Sequence, residues 1–460
     1  MNSRKQPEGW LVVADWRVYV YDCDGSGNIT LVDGDVRASA QPTRELNAPG
    51  ALSLTVKPEQ DVSLRPWRSL IVVELDGSIR GTGIVSDMAD DGDGSLSVTC
   101  VGVTGYFDAE PYDVNRAYKN QDPARVMRDA YVWAQNRSGF KLGIDFASYK
   151  DSGVRVGNPD PPVKRPVKNI YKPKLQGIPP EPQKKSYKNY YLKGNKPAQV
   201  AARKVSRDAY NADMKAWRTV RDARKKANKV EEDKLKKSRD DYKQAVDDYN
   251  QAIQDAIVRV QWWENPTVGS VVEEMAKHVD YRVSPRWVNT PLGKVPDHRL
   301  TIDKHIGGRK TQLRFVVGEN VVEAPPVDWA GESYATKVVY LGSGEGEKMI
   351  RGTATASRHG GLARTVFISD KSVRSKAAAN KRAERALAWR QKMPMVTELK
   401  ILDDDNAPFG SFDVGDEIRL IDNSGRWAGQ IDMWVRILSI TESTDAPIAT
   451  LTVVRSDQGE

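Results

Sequence analysis

The stretch DCDGSGNITLVD, Asp22 to Asp33, decides how the first hundred residues are read. Asp22, Asp24, Ser26 and Asp33 stand at loop positions 1, 3, 5 and 12, with Gly27 at 6, Asn28 at 7 and Ile29 at 8. That is close to the spacing by which an EF-hand wraps oxygen ligands round calcium. Such a loop needs a helix on each side. Here the entering residues are WRVYVY, in which Val18 and Val20 alternate with Tyr19 and Tyr21, and the leaving residues GDVRASAQP carry Gly34 and Pro42. Neither flank is helical, and Asp33 is too short to replace the bidentate Glu of such loops. The stretch reads as a hairpin: RVYVYDC, a turn over DGSGN, then ITLVD returning. A calcium-binding turn between strands, through Asp22, Asp24, Ser26, Asn28 and Asp33, is the lesser alternative.

Working outward, NITLV, ALSLTVKP, SLIVVELDG, SIRGTGIVSDM and SLSVTCVGV are short β-branched runs punctuated by Gly, Asp and Pro, so the N-terminal part is an all-β domain. In DPARVMRDAYVWAQN, Asp122 is an N-cap, Pro123 the first helical residue, and Val126, Ala130 and Trp133 share a face. FKLGIDF then returns as a strand. Composition changes at about Gly157, where a Pro-, Lys- and Tyr-rich run without apolar period predicts an extended, partly polyproline arm. Between Pro197 and Pro266 there is neither Gly nor Pro, which predicts one continuous helix over a helical hairpin. Tyr242, Val246, Tyr249, Ile253, Ala256 and Val260 recur at heptad spacing and predict a helix–helix interface. Tyr210, Met214 and Trp217 begin a similar pattern that dissolves into RKKANKVEEDKLKK. Beyond Pro266, a short helix is expected at PTVGSVVEEMAKHV, capped through Ser270 and Glu273, and a second from about Val373 to Gln391, with strands elsewhere.

The expected class is therefore α+β, mainly β, and multidomain, with β-barrel-like and mixed regions and an inserted arm and coiled-coil-like helix. The expected divisions are 1–110, 111–157, 158–197, 198–263, 264–395 and 396–460. At 460 residues the chain exceeds one core. Its net charge of +8 is uneven: residues 164–243 hold 25 basic and 9 acidic side chains, a net of +16, so the remainder carries −8. The opening MNSRKQPEGW has no apolar run of the secretory kind, and no stretch of about 18 apolar residues would span a membrane. Cys23 and Cys100 read as strand thiols.

Chemical motifs are weak. LGSGEGEK, Leu341 to Lys348, resembles a phosphate cradle only superficially, because Lys348 is followed by Met349 and more strand. His278, His298, His305 and His359 form no metal motif, and Asp403, Asp404 and Asp405 read as a solvated turn. No catalytic residues, metal or cofactor are therefore expected, and the chain reads as no enzyme. Acids interleave the basic helix at Arg207-Asp208 and Arg221-Asp222, so direct nucleic-acid binding is not the favoured use.

Across this background RELNAPGALSLTV (Arg44 to Val56), VVELDGSIRGTGIV and SLSVTCVGVTGYF resemble the opening domain of tail-hub proteins, minor tail proteins at the tail tip of long-tailed phages infecting actinobacteria. RLTIDKHIGGRKTQLRFVVGENVVEAPPVDW, TKVVYLGSGEGE and FGSFDVGDEIRLI resemble the later domains of the same family. The resemblance spans about 10–160 and 265–455; the segment from about 158 to 262 has no counterpart in it. It implies a structural virion protein, assembled in the host cytoplasm into a homotrimeric hub at the tail tip. Its partners would be the distal tail ring and tube, tip or receptor-binding proteins, and the tape measure protein, and it would close the channel before DNA passes. The rival expectations are a tail-associated wall hydrolase and a DNA-contacting tail component using the basic helix.

Overall fold

The computed structural model describes residues 15–137, 139, 141–145, 150–159, 163–291, 293–328, 334–356, 362–371, 373, 375–391, 395–423 and 430–456. His359 and the opening ten residues lie outside the described residues. The chain divides into two compact units, Met1–Pro161 with Ala256–Glu460, and Pro162–Asp255. The architecture is α+β and mainly β, as the strand and helix patterns predict.

The larger unit begins with seven strands: β1 (Trp16–Cys23), β2 (Ile29–Asp33), β3 (Ala38–Glu45), β4 (Ala51–Val56), β5 (Ser69–Leu75), β6 (Ser78–Asp90) and β7 (Leu96–Val101). Then come β8 (Asn115–Tyr118), α1 (Pro123–Gln135) and β9 (Ile144–Asp145), and, past the helix α2 (Pro197–Ala256) of the smaller unit, β10 (Val258–Gln261), α3 (Val268–Ala276), β11 (Asp280–Thr290), β12 (Gly293–Asp303) and β13 (Arg309–Val316). The rest is β14 (Val327–Asp328), β15 (Lys337–Leu341), β16 (Arg351–Thr355), β17 (Thr365–Ser369), α4 (Lys376–Arg390), β18 (Met395–Val396), β19 (Glu398–Leu402), β20 (Glu417–Asp422), β21 (Ile431–Glu442) and β22 (Ile448–Arg455).

One 12-stranded sheet joins the two ends of the sequence. Its path runs β13-β20-β21-β3-β4-β7-β6-β5-β1-β2, with β19 and β22 attached through β21. The join is antiparallel pairing of Ser439, Ile440 and Thr441 with Glu45, Arg44 and Thr43. β5, SLIVVEL, is buried at every position because both of its faces are covered. Ile71 and Val73 point into a core shared with Val20, Leu52 and Val98. Leu70 and Val72 point the other way, onto a core built with Val126, Ala130, Met275 and Leu300. Since β1 and β4 are distant on the path but share one core, the sheet curls over on itself. The C-terminal strands enclose a third core around Phe315, Ile401 and Leu451. α4 covers a small sheet of β16, β15 and β17 through Ala379, Ala383 and Leu387.

Local readings mostly follow their caps. Asp122 caps α1 by accepting from the Ala124 N–H, with Pro123 in the first turn. The cap of α3 is not the Ser270–Glu273 pair: Thr267 and Ser270 form a reciprocal capping box instead, one turn earlier. The larger departure is at the end of α2, which stops at Ala256. Residues 257–264, IVRVQWWE, are β-branched and aromatic, and such side chains favour a pleated surface. Val260 accordingly lies in β10, paired with Arg116 of β8 and buried in the core of α1 and α3. It is not part of a helix seam.

The smaller unit is a strap, residues 163–196, laid antiparallel along α2; it is extended up to Gln183 and then coils through a 3-10 turn at Lys184–Ser186 and a further turn to Leu192. α2 is one continuous helix of 60 residues, about 90 Å at 1.5 Å per residue. Half-buried positions run down it at spacings of three and four, from Tyr210, Met214 and Trp217 through Arg221, Arg224, Asn228, Glu231, Leu235 and Ser238 to Tyr242. The stripe that fades in the sequence therefore continues through polar residues.

Candidate functional site

The Asp22–Asp33 loop is the turn of the β1–β2 hairpin, with Asp22 opposite Thr30 and Cys23 opposite Ile29. Asp24 gathers Ser26 and Asn28: its carboxylate accepts from the Ser26 N–H at 2.8 Å, the Ser26 hydroxyl at 2.6 Å and Asn28 Nδ2 at 3.3 Å. The Ser26 hydrogen bonds hold the Asp24 carboxyl down at about 2. Asp22 is drawn away by Arg68, which meets both its oxygens at 2.6 and 2.8 Å, and Asp33 accepts from the Asp35 N–H and Gln60. The five sequence-selected oxygens thus serve three separate structural roles. Among the described residues no group of three His, Cys, Asp or Glu side chains converges as a metal site.

The other motifs are similarly placed. LGSGEGEK links antiparallel β15 and β16 through a short 3-10 turn. His298 is buried, with Nε2 at 2.9 Å from the Thr82 hydroxyl, and burial lowers its imidazole to about 4. His305 stands 3.7 Å from Asp280. Asp403 and Asp404 accept backbone N–H groups of Phe409 and Asn406 in a turn. Cys23 and Cys100 are free thiols raised to about 12, chiefly by burial. Among the described residues no helix is long and apolar enough to cross a membrane.

Two constellations stand out. The first is a buried ionic network at the join of the large sheet. Glu442 on β21 is 1% exposed; it accepts from Nε and Nη2 of Arg80 on β6 and from Arg44 on β3 at 2.9 Å. Arg44 also donates to Asp413 at 2.8 Å, and Arg282 on β11 donates to the other Asp413 oxygen at 3.0 Å. Alongside it, Asp280 accepts from Arg436, from the Ile306 N–H at 2.9 Å and from Asn47 at 3.2 Å. Gly415 is needed here: its φ is +93°, and an added Cβ would lie 2.5 Å from the Ile306 carbonyl oxygen. Sequence reading missed this cluster because its members are far apart in the chain and ordinary in composition.

The second constellation is the strap on its helix. A polyproline-like chain makes no hydrogen bonds of its own, so its backbone groups need partners or water. α2 supplies them in antiparallel order. Ser238 accepts from the Tyr171 N–H at 2.9 Å; Glu231 accepts from the Tyr171 hydroxyl and from the Lys174 N–H at 3.1 Å. Asn228 bonds both backbone groups of Gln176, at 2.7 and 2.9 Å. Arg224 donates to the Gly177 carbonyl, Trp217 Nε1 to Pro179 O at 2.9 Å, and Arg203 to Leu192 O at 3.1 Å. The polar middle of the stripe is explained: a partner helix would want apolar side chains there, whereas a strap wants donors and acceptors. Near the turn, Tyr210 meets Tyr187 and Tyr190 edge-on at 5.5 and 5.2 Å, with Lys184 and Arg207 over the Tyr190 ring. At the other end Pro166, Val167 and Tyr171 line a shallow groove with Tyr242 and Ala245. Val246, Tyr249, Ile253 and Ala256 continue the stripe, all half-buried.

The described side chains thus form two constellations, an ion network at the join of the large sheet and a strap hydrogen-bonded along its helix. No protein-family model and no curated protein matches the chain. Among solved structures it is similar to the 43 kDa tail protein of prophage MuSo2 from Shewanella oneidensis, at 13% identity over 96% of this chain and 98% of that one, with a TM-score of 0.48. It is also similar to the tail protein from Neisseria meningitidis MC58 (13%, 96% and 97%, TM-score 0.46). A third likeness is to a prophage tail protein from Listeria monocytogenes EGD-e (10%, 96% and 95%, TM-score 0.44).

Proposed function

We propose that this chain is a structural virion protein, a trimeric hub at a phage tail tip that links the tail tube and distal ring to tip proteins and closes the channel before DNA is ejected. One observation carries the reading: hub-like motifs scattered over some 370 residues meet at a single join. Arg44 comes from RELNAPGALSLTV, Arg80 from VVELDGSIRGTGIV and Asp413 from FGSFDVGDEIRLI, and all three belong to the Glu442 network. HIGG and DVGD meet as well, the Gly308 N–H donating to Asp416 at 3.0 Å. β3, β6 and β20, to which the motifs of Arg44, Arg80 and Asp413 contribute, lie in one 12-stranded sheet, a continuous framework of the kind a tube-end scaffold needs.

Two features fit assembly into a ring. β2 ends the large sheet with Leu31 and Val32 55% and 49% exposed, and β17 ends the small sheet with Phe367 65% exposed. Apolar sheet edges of this kind are covered by other chains in stable assemblies. The helix seam is a weaker support for trimerisation, since Tyr242 already shares a groove with its own strap and Val260 has left the helix. Light scattering on the purified chain tests the reading. Three times the 51.3 kDa chain mass is expected, and a strict monomer at high concentration would count against the hub. Labelling the protein in intact particles and imaging them tests the tail-tip position.

A further inference from the structure

We propose that the turn half of the strap–helix hairpin binds a flexible, phosphate-bearing polyanion without bases, a polyol-phosphate chain. This stands on the hairpin alone and does not need the hub reading.

The first ground is how charge divides along the hairpin. Residues 182–229 hold 15 basic and 3 acidic side chains, whereas the opposite half, residues 163–181 of the strap with residues 230–255 of the helix, holds 10 basic and 9 acidic. From 182 to 207 there are eight basic residues and not one Asp or Glu. Averaging over the segment, with its interleaved acids, hides this split. Helix stability does not account for it, because the helix dipole favours anions at the N-terminal end and cations at the C-terminal end, the reverse of this order.

The second ground is what the cations do. In the turn half, four of the five arginines are committed to the hairpin itself, Arg203 and Arg224 to strap carbonyls, Arg207 to the Tyr190 ring and Arg221 to Asp222, while Arg218 is exposed. Lys184 lies over the Tyr190 and Tyr210 rings, and the other lysines are left to solvent. Lys185, Lys188, Lys193, Lys196 and Lys204 are exposed, and none forms an ion pair with a described acidic side chain. An arginine fork fixes a carboxylate or phosphate in one bidentate geometry, whereas lysine is a hydrated point charge that meets phosphate in any orientation, as a flexible chain requires.

The shape selects among phosphate polymers. A bare helix, about 10–12 Å across, just fits the roughly 12 Å major groove of duplex DNA. With a strap along one face this hairpin is wider than that groove. Single-stranded nucleic acid binds on successive exposed rings. Here Tyr187, Tyr190 and Tyr210 are packed on one another, and Tyr191, 65% exposed, is the single open ring of the four. What remains is dense positive charge over a surface that a flexible chain can follow.

The test is anisotropy titration of the full-length chain with labelled poly(glycerol phosphate), against hyaluronate, single-stranded DNA and duplex DNA at equal charge. Tightest binding to the glycerol phosphate polymer is expected, with the logarithm of affinity falling linearly as the logarithm of salt rises. Replacing Lys185, Lys188, Lys193 and Lys196 together by Gln should weaken binding at least tenfold. Replacing Lys236, Lys237 and Lys243 by Gln in the near-neutral opposite half should change it less than twofold. Circular dichroism of both variants checks that the helix is intact. No binding at low salt, equal losses in both variants, or binding to either DNA or to hyaluronate as tight as to the glycerol phosphate polymer would overturn the proposal.

Discussion

Glu442 in the β body and Glu231 on the strapped helix both gather several donors, yet they hold their regions together in opposite ways. Glu442 is sealed, 1% exposed, between two arginines inside a sheet join. Glu231 sits on an exposed rod, where it accepts from Lys234, the Tyr171 hydroxyl and the Lys174 N–H. Among the described residues the body has four apolar cores, and none of them contains a residue between 163 and 255. Burial therefore secures the body, and matching of polar groups along a line secures the hairpin. A buried network gives way together with the core around it, whereas a line of solvent-facing hydrogen bonds can open locally.

The largest effect should come from breaking the body. Glu442→Ala leaves Arg80 and Arg44 without their shared carboxylate in a buried site, at a cost of about 3–5 kcal/mol. Urea unfolding followed by tryptophan fluorescence should show the midpoint of the body falling sharply. Glu231→Ala should leave that midpoint in place. Equal shifts in the two variants would erase the distinction between sealed and linear cohesion.

Next comes the pH response of the body. Buried His298 is held at about 4, below its ordinary 6.5, because burial disfavours the charged ring. Between those values the unfolded chain binds a proton that the folded chain refuses, so stability falls as pH drops through the window. At about 1.4 kcal/mol per pKa unit the loss is about 3 kcal/mol in all. His298→Asn, which keeps an amide near Thr82, should flatten the stability profile from pH 6.5 to 4. An unchanged slope would place the acid sensitivity elsewhere.

The same contrast explains what could be read from sequence. Period-two runs such as ALSLTV, with alternate exposed and buried positions, announce strands directly, and Asp122-Pro123 announces a helix start. The DCDGSGN turn was legible from its flanks alone. The Glu442 network was not, since Arg44, Arg80, Asp413 and Glu442 gain meaning only when β3 and β21 pair across some 400 positions. The strap was legible as an extended chain, but its seat was not. A search for apolar heptads loses the stripe at Arg221, where α2 switches from side chains that pack to side chains that bond a backbone. The heptad count also ran through Val260 because spacing cannot see that IVRVQ prefers a sheet.

Within the hairpin a smaller loss should follow from Asn228→Ala, which removes both hydrogen bonds to Gln176. At about 1 kcal/mol for such a pair in a solvent-facing site, protection of the Gln176 amide against hydrogen exchange should fall about fivefold. Amides of β5 should be unaffected. A matching loss in β5 would mean that the hairpin and the body unfold together.

The mildest perturbation is acid on Glu231. Its carboxyl is held down at about 2 from an ordinary 4.5, first by Lys234, then by the Tyr171 hydroxyl and the Lys174 N–H. A carboxylate depressed in the folded state contributes above its unfolded pKa, and that contribution drains away as pH falls from about 4.5 toward 2. This window lies below that of His298, so the two regions should respond in sequence as acid is added. The body weakens first and the strap contact around Tyr171 loosens later. The ring resonances of Tyr171, followed by NMR in the full chain, should move between pH 4.5 and 2 and stay fixed in Glu231→Gln, which keeps an acceptor but cannot titrate. Movement of those resonances in step with His298, or undiminished movement in the Gln variant, would show that the strap is held by the body's stability and not by its own line of hydrogen bonds.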